Sequence, residues 1–290
     1  MKFKDMQRRT PLEDVYLQAF NHKLVIPNPN PVKLRPSGFP TCSIINYAKL
    51  EYHKRHNMLL DDTSLFGDFF TSVGTTVHTV MQKWIGLSGQ MYGDWKCVNC
   101  DTTRRMVGHV CPKCNTFMEY NEIEVEYGLV TGHVDGILQL PNKKFWTIDY
   151  KTATIKKIQE AHKLLPIKQN VFQILAYSYI LKHNYDLDIE GASLLYIARN
   201  NPKYYKECQL IFDEETEEFA HKIITKEIEK YKAALQASKR KNVNIAIEAK
   251  PCKSVEHHAS FFGEYHVCPF IDVCFKSNKA LVRRIEELLD

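Results

Sequence analysis

Between residues 124 and 151, apolar and polar side chains alternate along two arms that meet at Pro141-Asn142-Lys143-Lys144, the pattern of two β-strands joined by a turn. Folding the arms about Asn142 sets Asp135 opposite Asp149, because each lies seven residues from that centre. Side chains two apart share a face, so Lys151 projects beside Asp149 and His133 beside Asp135. Val130, Val134, Leu138, Leu140, Trp146, Ile148 and Tyr150 form the other, apolar face, expected to be the buried one. The helical period appears elsewhere. A capped helix is predicted from residue 41 onward with Cys42 in its first turn, and another over 65–85, where Val73, Val77, Val80, Met81 and Trp84 recur and His78 lies beside their stripe. A third helix covers 169–183, with Gln173 and Tyr177 one turn apart. Residues 192–198 form a short apolar run that suits a buried strand beside the central ones. Residues 204–212 read as a further strand, in which Cys208 is a core or edge residue. A long helix over 213–239 is acidic at its start and basic at its end, which complements the helix dipole. Before residue 41, prolines (PNPNP at 27–31) predict an extended arm around a short helix near 12–20.

The length of 290 residues suits one large domain, here 41–290, preceded by an arm over 1–40. An apolar share of 44% and a charged share of 25% are ordinary for a globular protein, and the net charge of +5 permits contact with a polyanion without requiring it. No run approaches the length of a membrane helix, and the polar start MKFKDMQRRTPLED does not resemble a signal peptide. A cytoplasmic, reducing location is expected. Nine cysteines there point to metal binding rather than disulfides.

Those cysteines divide into two sets of four and Cys208 alone. Cys97, Cys100, Cys111 and Cys114 form two C-x-x-C pairs ten residues apart, the spacing of a zinc knuckle, inside a segment (95–120) that interrupts the surrounding pattern. Arg104 and Arg105 at its tip are placed to touch a phosphate backbone. In the tail, 251–275, Cys252, Cys268 and Cys274 lack a fourth ligand, and Cys42 is the uncommitted thiol outside a strand. Four thiolates are the usual cradle of an iron–sulfur cluster; zinc is the alternative, with His257, His258 or His266 then available as a ligand. The lysines at 156, 157, 163 and 168 are either a solvated face or a phosphate-binding rim. On the central hairpin, like charges facing each other are unfavourable unless neutralised, and a divalent cation would do so. Asp135, Asp149 and Lys151 on one face make a phosphodiester-cleaving arrangement.

The order of these residues resembles a known family. His78 on a helix, G-x-x-D at 132–135, D-x-K at 149–151 and Q-x-x-x-Y at 173–177 are similar to the motifs of RecB-type nucleases of the PD-(D/E)XK superfamily. One cysteine before and three after resembles its iron–sulfur branch, which includes CRISPR-adaptation exonucleases and the AddB nuclease domain. The resemblance spans about residues 42–275. Two features depart from it: Tyr265 stands three before Cys268, where a cysteine is usual, with Cys252 farther off, and the knuckle is an addition to the shared core. The resemblance implies an α/β restriction-endonuclease-like core, a mixed central sheet flanked by helices. It implies Mg2+ or Mn2+ held by His78, Asp135, Asp149 and the Tyr150 carbonyl, with Lys151 orienting the attacking water or stabilising the charge developing on the phosphorane. Gln173 and Tyr177 would position the DNA strand. The implied activity is a DNA exonuclease acting at ends or on single strands, served by a helicase or recombinase partner in a bacterial or phage-infected cell. A structure-specific endonuclease and a non-catalytic nucleic-acid-binding protein are the alternatives.

Overall fold

A computed structural model describes residues 32–57, 65–252, 270 and 273–289, without the side chains of 65–71 and 162. After a 3-10 turn at Pro36–Gly38, the chain forms α1 (Ser43–His56) and α2 (Leu65–Gly86). Three strands follow, β1 (Tyr92–Cys97), β2 (Thr103–Val107) and β3 (Met118–Asn121), and then β4 (Ile123–Tyr127), β5 (Val130–Val134), β6 (Gly136–Gln139) and β7 (Phe145–Ala153). Two short helices, α3 (Ile155–Gln159) and α4 (Ala161–Leu164), lead into α5 (Lys168–Asn184). The remainder is β8 (Ile189–Ala198), β9 (Tyr205–Ile211), α6 (Glu214–Arg240), α7 (Asn244–Glu248) and α8 (Asn278–Leu289). The expected N-terminal arm up to residue 31, its helix, Tyr265, Cys268 and the three tail histidines lie outside the described residues.

The central sheet has the order β6-β7-β8-β9, antiparallel at both outer pairs and parallel between β7 and β8. This is the expected mixed sheet flanked by helices. A parallel pair needs a helical crossover, and α5 supplies it between β7 and β8. The ladder pairs Gly136 with Ile148 and Gln139 with Phe145, so the turn is centred on Asn142 as the alternation predicts.

Two expectations are corrected. The first arm is not one strand: it reverses between Tyr127 and Val130, so that β4 and β5 form a hairpin of their own. It breaks at Asp135, where β5 leaves to pair with β4 while β6 stays with β7. His133 therefore lies exposed opposite Glu124 and away from Asp135. Nor is one face of β7 open. Thr147 and Asp149 are as buried as Ile148 and Tyr150. On the Asp149 face α5 packs, its Ser178 hydroxyl donating to Thr147 Oγ1 and its Ile174 sharing a cluster with Leu194 and Ala153. On the other face lies α2, with the His78 ring against Tyr150 and Gly74 beside Thr152. The apolar stripe predicted for α2 is half-covered: Val73, Val77 and Met81 are partly buried, whereas Val80 and Trp84 are exposed.

Candidate active site and metal centres

Asp149 in the middle of β7 is 1% exposed, and Asp135 at the break between β5 and β6 is 8% exposed. The Tyr150 N–H donates to Asp135 Oδ2 at 2.9 Å, which turns that carboxylate toward β7. His78 Nδ1 approaches the same oxygen at 3.3 Å, and its ring also meets the Tyr150 backbone. Lys151 Nζ lies 2.8 Å from Asp149 Oδ2 and donates to Gln173 Oε1 at 3.0 Å. Residues from α2, the strand break, β7 and α5 thus converge. The break at Asp135 does the converging, since it frees one residue from the ladder to aim its side chain.

Burial dominates the electrostatics of this group of residues. Burial pushes Asp149 up to about 7, against the pull of Lys151, and pushes Asp135 up to about 6. Burial and then the Lys151 charge push the His78 pKa down, leaving a neutral imidazole. Asp149 Oδ1 is buried with no hydrogen-bond partner. Two buried carboxylates share one ammonium, and a buried charge without a partner is costly. Carboxylate oxygens, a backbone carbonyl and one neutral imidazole suit Mg2+ or Mn2+.

Residues 48–275 match the family model of the PD-(D/E)XK nuclease superfamily. The chain belongs to that superfamily. No curated protein matches it. Among solved structures it is similar to an alkaline exonuclease (LHK-Exo) from Laribacter hongkongensis, at 11% identity over 79% of this chain and 97% of that one, with a TM-score of 0.44. It is also similar to the protein SSO0001, at 13% identity over 64% of this chain and 73% of that one, with a TM-score of 0.31.

Within this superfamily fold, Gln173 and Tyr177 lie on α5, against Lys151 of β7 and Gly132 of β5. Gln173 is 7% exposed and spends its carbonyl on Lys151. Tyr177 is 3% exposed and lies under Gly132, where a Cβ would come within 2.7 Å of its hydroxyl. Glycine in G-x-x-D is thus a close approach of β5 to α5. Two residues of the site carried no sequence motif. Gln82 Nε2 donates to Glu122 Oε1 at 2.7 Å and to the Asp135 carbonyl at 2.9 Å, pinning the strand break. Gln82 lies one helical turn beyond His78, a spacing that places both on one face. Nothing marks Glu122 apart from its place before β4.

The knuckle forms its own sheet, β2-β1-β3, spanning slightly more than 95–120. Cys97, Cys100, Cys111 and Cys114 place their sulfurs within 4.8 Å of one another, with neighbours at 3.4, 3.7 and 3.5 Å. Zn–S bonds of about 2.3 Å in a tetrahedron require sulfurs roughly 3.8 Å apart, so the set fits zinc. The Thr116 hydroxyl beside Cys114, with the Cys97 thiol, pulls Cys114 down to about 6, toward the thiolate that ligates metal. Arg105 is not available to phosphate in the way its tip position suggests: it forms a bidentate pair with Asp94, both contacts at 2.7 Å. Arg104 is exposed.

Cys42, Cys252 and Cys274 are buried within one core cluster, Cys42 as the N-cap residue of α1. Among the described residues the knuckle is the set of three or more potential ligands gathered within 4.8 Å, and these three thiols are not so gathered. Their fourth expected partner, Cys268, lies outside the described residues. No described cysteine forms a disulfide. No helix among the described residues is long and apolar enough to cross a membrane.

Proposed function

We propose that this nuclease is a Mg2+- or Mn2+-dependent deoxyribonuclease that removes nucleotides from DNA ends or single strands in recombination, repair or phage DNA processing. The observation that carries the metal dependence is Asp149, a carboxylate buried in the sheet with one oxygen unpartnered and Asp135 close enough to raise its pKa. His78, Asp135, Asp149 and the Tyr150 carbonyl would hold the cation, which when bound supplies charge neutralisation at the scissile phosphate and activation of water. Lys151, fixed between Asp149 and Gln173, would offer its ammonium to the negative charge developing on the phosphorus oxygens. Gln173 is a positioning residue for Lys151. Action from ends is supported by the order of motifs and by a cysteine frame that resembles that of the iron–sulfur exonucleases, though Tyr265 stands where their cysteine is usual. The same frame supports a cluster on Cys42, Cys252, Cys268 and Cys274, with zinc in the knuckle.

End-labelled single-stranded and duplex DNA, digested with Mn2+ and scored at both termini, tests this directly. Label release as mononucleotides or short oligonucleotides is expected, with a closed plasmid circle left intact. Loss of the circle would make the enzyme an endonuclease. Lys151→Ala should reduce cleavage by at least about 10²-fold while leaving DNA binding nearly unchanged. Near-normal cleavage by that variant would overturn the site assignment.

A further inference from the structure

We infer that β9 is a dimerisation edge: two copies of this chain join their β9 strands about a two-fold axis at Cys208, making one continuous sheet. β9 is the last strand of the order β6-β7-β8-β9, and its outer side pairs with no strand among the described residues. The ladder decides which backbone groups face outward. The Tyr204 carbonyl accepts from the Ala198 N–H at 2.9 Å, and the Phe212 N–H donates to the Glu190 carbonyl at 2.9 Å. Backbone groups alternate along an antiparallel strand, so those of 204, 206, 208, 210 and 212 turn toward β8. Tyr205, Glu207, Gln209 and Ile211 turn theirs outward, where they meet no backbone partner among the described residues. Proline and bulges are the usual devices that close such an edge. β9 has no proline, and its register with β8 runs unbroken from Tyr205 to Ile211.

The side chains favour a second copy as the occupant. Thr152 pairs with Ile197 and Ile197 with Tyr205, while Trp146 pairs with Gly191 and Gly191 with Ile211. Tyr205 and Ile211 therefore share the α2 face of the sheet, and at 65% and 60% they are the most exposed large apolar side chains among the described residues. An antiparallel copy centred on Cys208 sets each Tyr205 against the partner's Ile211, an aromatic–β-branched pair, and each Glu207 against the partner's Gln209. Every outward backbone group of β9 is then paired. Shifted two-fold registers fail. Centring on Lys206 or Glu207 opposes like charges, and centring on Gln209 or Leu210 carries Tyr205 past the end of the partner's strand. Charge agrees with this arrangement: β9 runs from a turn with exposed Lys203 to the exposed acids Asp213, Glu214 and Glu215 at the start of α6. Antiparallel pairing brings each basic end to the partner's acidic end. The two β7 strands then stand about 24 Å apart, at five strand spacings of ~4.8 Å, which keeps the candidate sites off the interface.

The test uses the full chain and sedimentation velocity at micromolar concentration, where the parent should run at twice the chain mass. Gln209→Pro removes an outward N–H while sparing the ladder to β8, and Ile211→Lys sets an ammonium against the partner's Tyr205. Each should run as a monomer with an unchanged circular dichroism spectrum. Register is read at Cys208, a non-hydrogen-bonded position of the paired edges where the two Cα atoms stand about 4.5 Å apart, within disulfide range. Diamide, which takes up the two hydrogens of the two thiols, should join the copies there. Cys208→Ser or Gln209→Pro should abolish that cross-link. A monomeric parent, or a dimer indifferent to both edge variants, would overturn the interface. A dimer that the edge variants split but diamide does not join through Cys208 would overturn the two-fold register.

Discussion

At Asp149, the decisive quantity is the free energy of a buried negative charge. Its folded pKa of about 7, and that of Asp135 at about 6, lie above the unfolded carboxylate value, so the sign is opposite to that of an ordinary surface acid. Such groups favour the fold below about pH 4, and that contribution is lost as pH rises through 6 and 7. Above this window the two buried carboxylates repel each other, and the proposed divalent cation would relieve that repulsion. Mn2+ should raise Tm more at pH 8 than at pH 5.5, measured by scanning calorimetry, and cleavage should climb across pH 6–7. Asp149→Asn should raise the Tm of the metal-free protein at pH 8 by roughly 2–6 °C while abolishing cleavage. A Tm that falls would mean that Asp149 is stabilising without metal and that burial has been misjudged as its dominant influence. Asp135, Asp149 and Lys151 were legible in the sequence because a period of two fixes which side chains share a face once the turn is centred. Gln82 and Glu122 were not, because their contact joins a helix to a strand end across forty residues and leaves no local pattern.

Among the elements, the break in the first arm is the feature alternation could not show. A one-residue bend at Asp135 leaves the apolar positions on either side in phase, so two strands of different sheets look like one. Of the described helices, α1, α2, α5 and α6 were legible to within about two residues, α6 with an Asp213 cap that accepts from the Thr216 N–H, whereas the short α3, α4 and α7 and the terminal α8 were not anticipated. The knuckle was legible as four cysteines that could hold a metal but not as a support for the candidate site. Its β1 docks on the central sheet through the Met91–Leu138 bridge, and the Gln139 N–H donates to the Gln90 carbonyl at 2.8 Å. Its β3 runs directly into Glu122, which Gln82 ties to the Asp135 carbonyl. Removing the metal, by chelation or by Cys111→Ser, should therefore do more than unfold a small appendage. The Mn2+ concentration for half-maximal cleavage should rise several-fold, with protection of the β1–β3 amides from hydrogen exchange lost. Unaltered Mn2+ activation after complete zinc removal would make the knuckle an independent module.

Across the whole molecule, fold class follows from the order of strands and helices, whereas closure of the start of α1 onto α6 does not. That closure rests on a buried polar cluster far apart in sequence. Glu227 of α6 accepts from the Thr41 N–H at 2.6 Å and from its hydroxyl at 2.7 Å, while Lys230 pairs with Glu227 and donates to the Thr41 carbonyl at 3.0 Å. Both side chains are buried, so removing one leaves the other's charge without its partner, at a cost of about 3–5 kcal/mol, while replacing both with apolar residues of similar size is far milder. Glu227→Ala should lower Tm by roughly 6–10 °C, and the Glu227→Met, Lys230→Met double variant should recover most of it. Thr41 immediately precedes Cys42, so the same cluster sets where that thiol lies relative to Cys252 and Cys274. If these cysteines and Cys268 share an iron–sulfur cluster, anaerobically purified parent protein is brown, and Glu227→Ala loses iron while keeping the knuckle's zinc. Metal analysis showing two zincs per chain and no iron in the parent would assign the tail to zinc. Iron retained at full stoichiometry in Glu227→Ala would show that Cys42 does not depend on α6 for its place, and that the cluster is closed by the tail alone.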